Sequence, residues 1–176
     1  VPGSARGDAD VSTEVDPGAT VDALLAAAQL LDECASIDEL APAACRLATE
    51  VVPGVRQVEL VRMLTGSRSV TLAATGEPGG SDSQALDLPL ACELDALVLH
   101  LKADRPLEDT GQRIARLFAA HLAAAVQTVH TRAKATNLER ALETSRVIGV
   151  AMGIIMARCA CTREEAFELL RRASRA

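Results

Sequence analysis

Residues 138–174 read LERALETSRVIGVAMGIIMARCACTREEAFELLRRAS, and this stretch decides how the C-terminal part of the chain folds. Leu138 begins a line of mainly apolar residues whose spacings of three and four indicate a helix with a heptad repeat. The line continues through Ala141, Ser145, Ile148, Met152, Ile155 and Cys159. Thr162 and Glu165 then form a T-x-x-E capping box, which predicts that another helix begins there.

A second apolar line, formed by Val147, Ala151 and Ile154, runs beside the first. A helix with two apolar faces needs two partners, so we expect the next helix on one face and a second copy of the chain on the other. Gly149 and Gly153 form a G-x-x-x-G pair in this helix. This pair is compatible with a contact between two copies and equally with packing inside one chain.

The helical pattern also extends upstream, because neither Gly nor Pro interrupts residues 112–146 and apolar residues again step by four and three. Together the two stretches predict a long coiled-coil helix and a parallel homodimer. The residues expected in that dimer interface are Phe118, Leu122, Val129, Leu138, Ile148, Met152 and Ile155.

The N-terminal half has a different pattern. Residues 1–19 are rich in Pro, Gly and Asp and predict a disordered arm. A first helix is expected over 20–34, and the S-x-x-E box of Ser36 and Glu39 predicts a second one that ends near residues 53–54.

Alternating residues around Val58 and Val70, separated by Thr65-Gly66-Ser67, predict an antiparallel hairpin. Residues 76–83 form a flexible loop in this interpretation. A third strand contains Pro89, which favours a sheet edge or a bulge, and a fourth strand over 94–101 is apolar enough to be central. We therefore expect an α+β fold with an antiparallel sheet flanked by helices, followed by the long helix and an all-α unit.

Charge is distributed unevenly along the chain. The 176 residues carry a formal charge of −6, but residues 132–176 hold nine basic and five acidic residues, a net charge of +4, which leaves −10 for the rest. A basic segment behind an acidic body is a hint of a polyanionic partner, although many basic helix faces are simply solvated.

Composition excludes several classes of protein. Hydrophobic residues make up 49% of the chain, which argues against general disorder, and no run of about 18 apolar residues predicts a membrane span. The N-terminus has no signal-peptide pattern, so a cytoplasmic protein without a membrane partner is expected. The five cysteines are expected to be reduced and mostly buried thiols.

The sequence predicts no catalytic and no metal-binding residues. His100, His121 and His130 have no ligand spacing, and no nucleophile elbow, P-loop or dinucleotide fingerprint occurs. We therefore expect neither an enzyme nor a bound cofactor.

The stretch quoted at the outset closely resembles the ANTAR domain of bacterial transcription antitermination regulators. The resemblance rests on the run SR-x-I-G-x-A-x-G-I-I-M from Ser145 and the run T-x-x-E-A-F-x-L-L-R-x-A-S from Thr162. The order of helices and strands before it is similar to that of a GAF domain, as in actinobacterial GAF-ANTAR proteins. The implied domains are a GAF-like regulatory domain over 20–135 and an ANTAR domain over 136–176.

The resemblance implies a function in RNA binding. Dimers of ANTAR domains bind nascent RNA that folds as two adjacent short hairpins and stabilise it against an overlapping terminator. Phosphate contacts are then expected from basic side chains, with Arg146, Arg171 and Arg172 as the principal candidates and Arg140 and Arg158 as secondary ones, all converging on one face. Phe167 matches a core position of the family.

The resemblance is incomplete in two respects. The ANTAR pattern continues past the R-x-A-S run into a third basic helix, and residues 1–176 contain no counterpart of that helix. The segment between the second and third strands is short for a ligand-binding GAF domain, so no tightly bound haem or cyclic nucleotide is expected, while a small-molecule effector or a signalling protein at this domain stays open. Two other functions are also open: a dimeric sensory or protein-interaction module without RNA binding, and, less favoured, a regulator that binds double-stranded DNA.

Overall fold

The computed structural model describes residues 17–64, 68–76, 84–90 and 96–175. The chain divides into two compact units, Val1–Val129 and His130–Ala176. Four predictions lie wholly or partly outside the described residues: the arm over 1–16, the turn at 65–67, the loop after Gly76, and the beginning of the fourth strand.

Two helices open the first unit, α1 (Pro17–Glu33) and α2 (Ile37–Val51). The predicted arm is wrong at residues 17–19, because α1 already begins at Pro17, and proline is favoured in the first turn, where its missing N–H costs nothing. Ser36 caps α2 as predicted, since its hydroxyl accepts a hydrogen bond from the backbone N–H of Glu39 at 3.3 Å. The Glu39 carboxylate accepts one from the N–H of Ala35 at 3.0 Å.

A four-stranded antiparallel sheet follows, made of β1 (Val55–Met63), β2 (Ser69–Gly76), β3 (Gln84–Leu90) and β4 (Ala96–Ala103). The spatial order is β2-β1-β4-β3. This order confirms the hairpin of β1 and β2, the edge position of the strand with Pro89, and the central position of β4. The α+β class is thereby confirmed.

The core of the first unit lies between one face of this sheet and the helices. Leu60, Leu99 and Leu101 on the sheet are fully buried and belong to one cluster with α2 and with the helix that follows β4. That helix contributes Phe118, Leu122, Val126 and Val129. The predicted dimer interface is therefore wrong at Phe118, Leu122 and Val129, because the chain's own sheet and helices already cover these side chains.

The opposite face of the sheet carries a row of polar side chains that runs across the strands. His100 on β4 lies between Glu59 on β1 and Asp87 on β3 in the strand register. Its Nδ1 atom is 2.6 Å from an oxygen of Asp87, while Lys102 Nζ is 3.3 Å from Glu59. Alternating side chains point to opposite faces of a strand, so this face is polar where the other one is apolar.

Two helices complete the chain, α3 (Asp109–Cys159) and α4 (Arg163–Ala173). α3 has 51 residues, which confirms the expectation of a long helix. No single helix of the described residues is long and apolar enough to cross a bilayer; α3 and α4 pass that test only when taken together across the 111° bend between them.

Candidate nucleic-acid interface

The positive charge of the second unit lies mainly on α3. Residues 132–158 contain five basic and two acidic residues, whereas residues 163–175 contain four basic and three acidic ones. All five predicted RNA-binding arginines have exposed side chains. The excess that would attract a phosphate backbone therefore follows the long helix more than the short one.

The arginines of α3 do not share one face. Arg140 and Arg158 are 18 residues apart, which is five full turns, so they lie on the same line of the helix about 27 Å apart. Arg146 is rotated by about 120° from that line. The expectation that the five arginines converge on one face is therefore wrong for Arg146 relative to Arg140 and Arg158.

Arg171 and Arg172 lie in the last turn of α4. Arg171 is paired with Glu168, with Nη2 and Oε2 3.0 Å apart. Arg172 borders a surface hollow of about 660 Å³ that is also lined by acidic side chains of α4, namely Glu164, Glu165 and Glu168. Basic residues at a helix C-terminus also interact favourably with the helix dipole, so these two arginines have a structural role besides any contact with phosphate.

The beginning of α4 is fixed by the predicted capping box. The Thr162 hydroxyl accepts a hydrogen bond from the N–H of Glu165, and the Glu165 carboxylate accepts one from the N–H of Thr162. The backbone hydrogen bond from Thr162, followed by the one from its hydroxyl, lowers the pKa of Glu165. This local motif sets the residue at which α4 begins. It thereby also sets the side of the helix on which the charged residues of α4 lie.

α4 covers part of the apolar line that was predicted to face a second copy. Met152 on α3 and Ala166 on α4 are buried within this unit, and Ile155 is half-buried. Ile148 is 38% exposed and borders a hollow that Phe167 also lines. The interface prediction is therefore wrong at Met152, because α4 already occupies that side of α3.

A different side of α3 remains open. We call it the open stripe: Leu138, Leu142, Gly149, Gly153 and Met156, which lie within about 60° of one another around the helix axis. Leu138 and Leu142 are each 62% exposed. Apart from the helix's own backbone, an added Cβ at either glycine would meet no described atom within 4 Å, so no close packing of the described residues requires these glycines.

Further exposed apolar residues of α3 lie outside the open stripe, on other sides of the helix. Val147, Val150 and Ile154 are each more than half exposed. Phe167, which the resemblance placed in the core, is 48% exposed because it lies at the edge of the contact between α3 and α4. Both the second apolar line and the aromatic residue are thus available to a partner.

Several basic residues of this unit were not among the predicted sites. Lys134, Arg163 and Arg175 are exposed like the five candidates, and Arg132 lies on the same helix as Lys134. The charge count contained them, but the family motif did not single them out. Arg132 and Lys134 extend the basic surface along α3, whereas Arg163 and Arg175 lie at the two ends of α4.

Two features of the described residues bear on ligand binding. No group of three or more histidine, cysteine, aspartate or glutamate side chains within the described ranges could hold a metal ion. In the first unit, an open groove of about 540 Å³ lies between the edge strand β3 and α3. Its walls are mostly small and apolar, with Arg116 and Gln127 as polar members.

Comparison with known proteins gives a family match for the C-terminal part of the chain and a fold likeness for the N-terminal part. Residues 136–176 match the model of the ANTAR domain. The fold is similar to a GAF domain from Pseudomonas syringae pv. tomato, at 18% identity and a TM-score of 0.50, over 70% of this chain and 94% of that one. The GAF domain from Acinetobacter phosphoenolpyruvate-protein phosphotransferase gives 10% identity and a TM-score of 0.51, over 66% and 97%.

A larger structure is also similar. The bacteriophytochrome from the photosynthetic bacterium R. palustris gives a TM-score of 0.62 at 7% identity, over 80% of this chain and 43% of that one. At these identities the likeness shows the fold alone. Among curated proteins, none matches the sequence of this chain.

Proposed function

Because this chain has an ANTAR domain at residues 136–176 behind a domain of the GAF fold, we propose that it is an RNA-binding transcription antitermination regulator. In this proposal it stabilises two adjacent hairpins in nascent RNA, so that an overlapping terminator does not form. The observation that carries the proposal is the ANTAR match, which coincides with the only strongly basic segment of an acidic chain. A protein that acts on nascent bacterial transcripts works in the cytoplasm.

RNA contact is assigned to the exposed arginines of α3 and α4. Arg140 and Arg158 supply two phosphate contacts along one line of α3, and Arg146 supplies one on another side. Arg171 and Arg172 supply contacts from the end of α4. The Arg171–Glu168 pair does not prevent this, because an exposed ion pair stabilises by only about 0–1 kcal/mol and a phosphate group can replace the carboxylate.

The active species is a homodimer that pairs through the open stripe. Two glycines in a helix destabilise it by about 1 kcal/mol each relative to alanine, and no side chain among the described residues uses the space beside them. A second helix that approaches the backbone closely at Gly149 and Gly153 would compensate. Leu138 and Leu142 would be buried in the same contact, which removes them from water.

The GAF-fold domain is the regulatory module of this proposal. Its polar sheet face around His100 and its groove beside β3 are surfaces of the described residues at which a small-molecule effector or a signalling protein would bind. The domain contributes to dimerisation through the long helix that it shares with the ANTAR domain.

Binding to a pool of RNAs with two adjacent short hairpins and randomised loops tests the proposal. We expect retention of RNAs with both hairpins and loss of binding when base changes open either one. The alternative function, a dimeric interaction module, is favoured by the exposed apolar residues of α3 and requires no RNA binding at all. Equal weak retention of every RNA would contradict the proposal, and no retention of any RNA would contradict it and support the alternative.

A further inference from the structure

Two cysteines flank the break between α3 and α4. Cys159 is the last residue of α3 and is exposed, while Cys161 immediately precedes the capping residue Thr162 and is partly exposed. Both thiols are free. The proposed RNA contacts do not use either of them.

The residue between the two cysteines has an unusual backbone conformation. Ala160 has φ of +48°, the one positive φ of a non-glycine residue among those that the structure describes. For a residue with a Cβ atom, this value belongs to the left-handed helical region, which costs roughly 1–2 kcal/mol. The chain keeps this conformation at the junction despite its cost.

The left-handed conformation sets the separation of the two cysteines. A helical residue of either hand brings its neighbours' Cα atoms to about 5.4 Å, whereas an extended one separates them by about 7 Å. Disulfides span Cα separations of about 4.4–6.8 Å, most often near 5.5–6 Å. The turn at Ala160 therefore places Cys159 and Cys161 within the range of a disulfide, which an extended junction would not do.

The Cys161 side chain also lies towards α3. Its Sγ atom is 4.0 Å from the carbonyl oxygen of Ile155, in the last turn of the helix that ends at Cys159. The Cys161 thiol is therefore directed back to the turn of α3 that contains Cys159.

We propose that Cys159 and Cys161 form a reversible intramolecular disulfide, which makes the α3–α4 junction a redox-sensitive modification site. The oxidant is a low-molecular-weight disulfide. One cysteine thiolate attacks it, forming a mixed disulfide and releasing one small thiol, and the other cysteine then displaces the second small thiol. Two protein thiols are oxidised, one S–S bond forms, and the small disulfide is reduced to two thiols.

The disulfide would restrict the junction. It limits the separation of the two Cα atoms to at most about 6.8 Å, so Ala160 can no longer extend. Because Arg158 precedes the junction and Arg171 and Arg172 follow it on α4, oxidation fixes the connection between two parts of the basic surface. Formation of this disulfide does not require RNA and can be tested without it.

Trypsin provides a clean assay on the intact chain. Cleavage after Arg158 and Arg163 releases residues 159–163, which contain both of these cysteines and no other. The chain is first equilibrated with glutathione buffers of increasing oxidised fraction and then blocked with iodoacetamide. We expect the peptide to carry no alkyl groups and to be about 2 Da lighter than its reduced, unalkylated form. Reduction before blocking should restore the doubly alkylated peptide, and the oxidised fraction should not depend on protein concentration.

Single variants complete the test. Cys161→Ser should leave Cys159 as a stable glutathione adduct, and Cys34→Ser should leave the oxidation of peptide 159–163 unchanged. A glutathione adduct as the end product in the unsubstituted chain would overturn the proposal. A covalent dimer that increases with protein concentration, or a peptide that stays fully alkylated in oxidised glutathione, would overturn it as well.

Discussion

Thr162 and Glu165 cap α4 reciprocally: the Thr162 N–H donates to the Glu165 carboxylate at 2.8 Å, and the Glu165 N–H donates to the Thr162 hydroxyl at 3.3 Å. The short helix that carries Arg171 and Arg172 depends on this pair for its first turn. Thr162→Ala should lower the stability of α4 by about 1 kcal/mol, because a backbone donor loses its partner. Circular dichroism and hydrogen exchange of residues 163–173 would measure the loss.

The same pair makes the stability of α4 depend on pH. The pKa of Glu165 is lowered in the folded state by its hydrogen bonds to Thr162, so its stabilisation is present above the unfolded value of 4.5 and is lost as pH falls through the lower folded value. Glu165→Gln should flatten the acid dependence of α4 exchange below pH 4.5. Glu164→Gln removes the same charge from the same turn, and an equal flattening there would contradict the assignment to the cap.

Core and exposed positions of α3 should respond oppositely to truncation. Phe118→Ala should destabilise the first unit by about 3–5 kcal/mol, because the side chain is buried in the core. Leu142→Ala should leave that unit's stability unchanged and weaken self-association. Thermal unfolding and analytical ultracentrifugation separate the two effects; a stable Phe118→Ala chain that has become monomeric would restore the original interface prediction.

Gly149→Ala distinguishes a paired helix from a solvated one. In an isolated helix, alanine stabilises by about 1 kcal/mol relative to glycine, and no neighbouring atom opposes the added methyl group. In the proposed dimer, the methyl group meets the second helix, so we expect at least a tenfold weaker dimer with greater helix stability at low protein concentration. Unchanged or tighter association would show that the open stripe is not the interface.

The cysteines should differ strongly in reactivity. Burial raises the pKa of Cys45 to about 11, with Glu59 adding to the shift and a backbone hydrogen bond from Leu60 opposing it. At pH 8 only about one Cys45 thiol in a thousand is then ionised, and its sulfur is covered. Iodoacetamide should therefore label Cys159 in folded protein long before Cys45, and labelling at equal rates would indicate that α2 opens readily from the sheet.

Local sequence signals were sufficient for much of the fold. The boxes at Ser36 and Thr162 predicted where α2 and α4 begin, because a cap involves residues only three apart. Pro89 predicted the edge strand, because a residue without an N–H interrupts a ladder in the middle of a sheet. The composition around Pro17 is that of a disordered segment and therefore predicts that this residue belongs to the arm. Proline is also common in the first turn of a helix, which is where the structure has it.

Which partner covers each apolar face of α3 could not be predicted in the same way. A heptad pattern shows that Phe118 and Met152 lie on apolar lines of α3, but it does not say which partner covers each line. The sheet covers Phe118 and α4 lies over the side of Met152, and both outcomes depend on tertiary packing. The placement of Arg146 away from Arg140 follows from helix geometry alone and was available in the sequence.

The salt dependence of RNA binding tests the central claim most directly. The measurement compares the unsubstituted chain with Arg140→Gln/Arg158→Gln on a two-hairpin RNA, with Arg113→Gln/Arg116→Gln as the control that removes the same charge from α3 in the first unit. Each lost phosphate contact should flatten the log–log slope by a little under one unit, by analogy with duplex DNA, so we predict a change of about two for the first variant and none for the control. Equal slopes for all three proteins would contradict RNA binding by this face of α3.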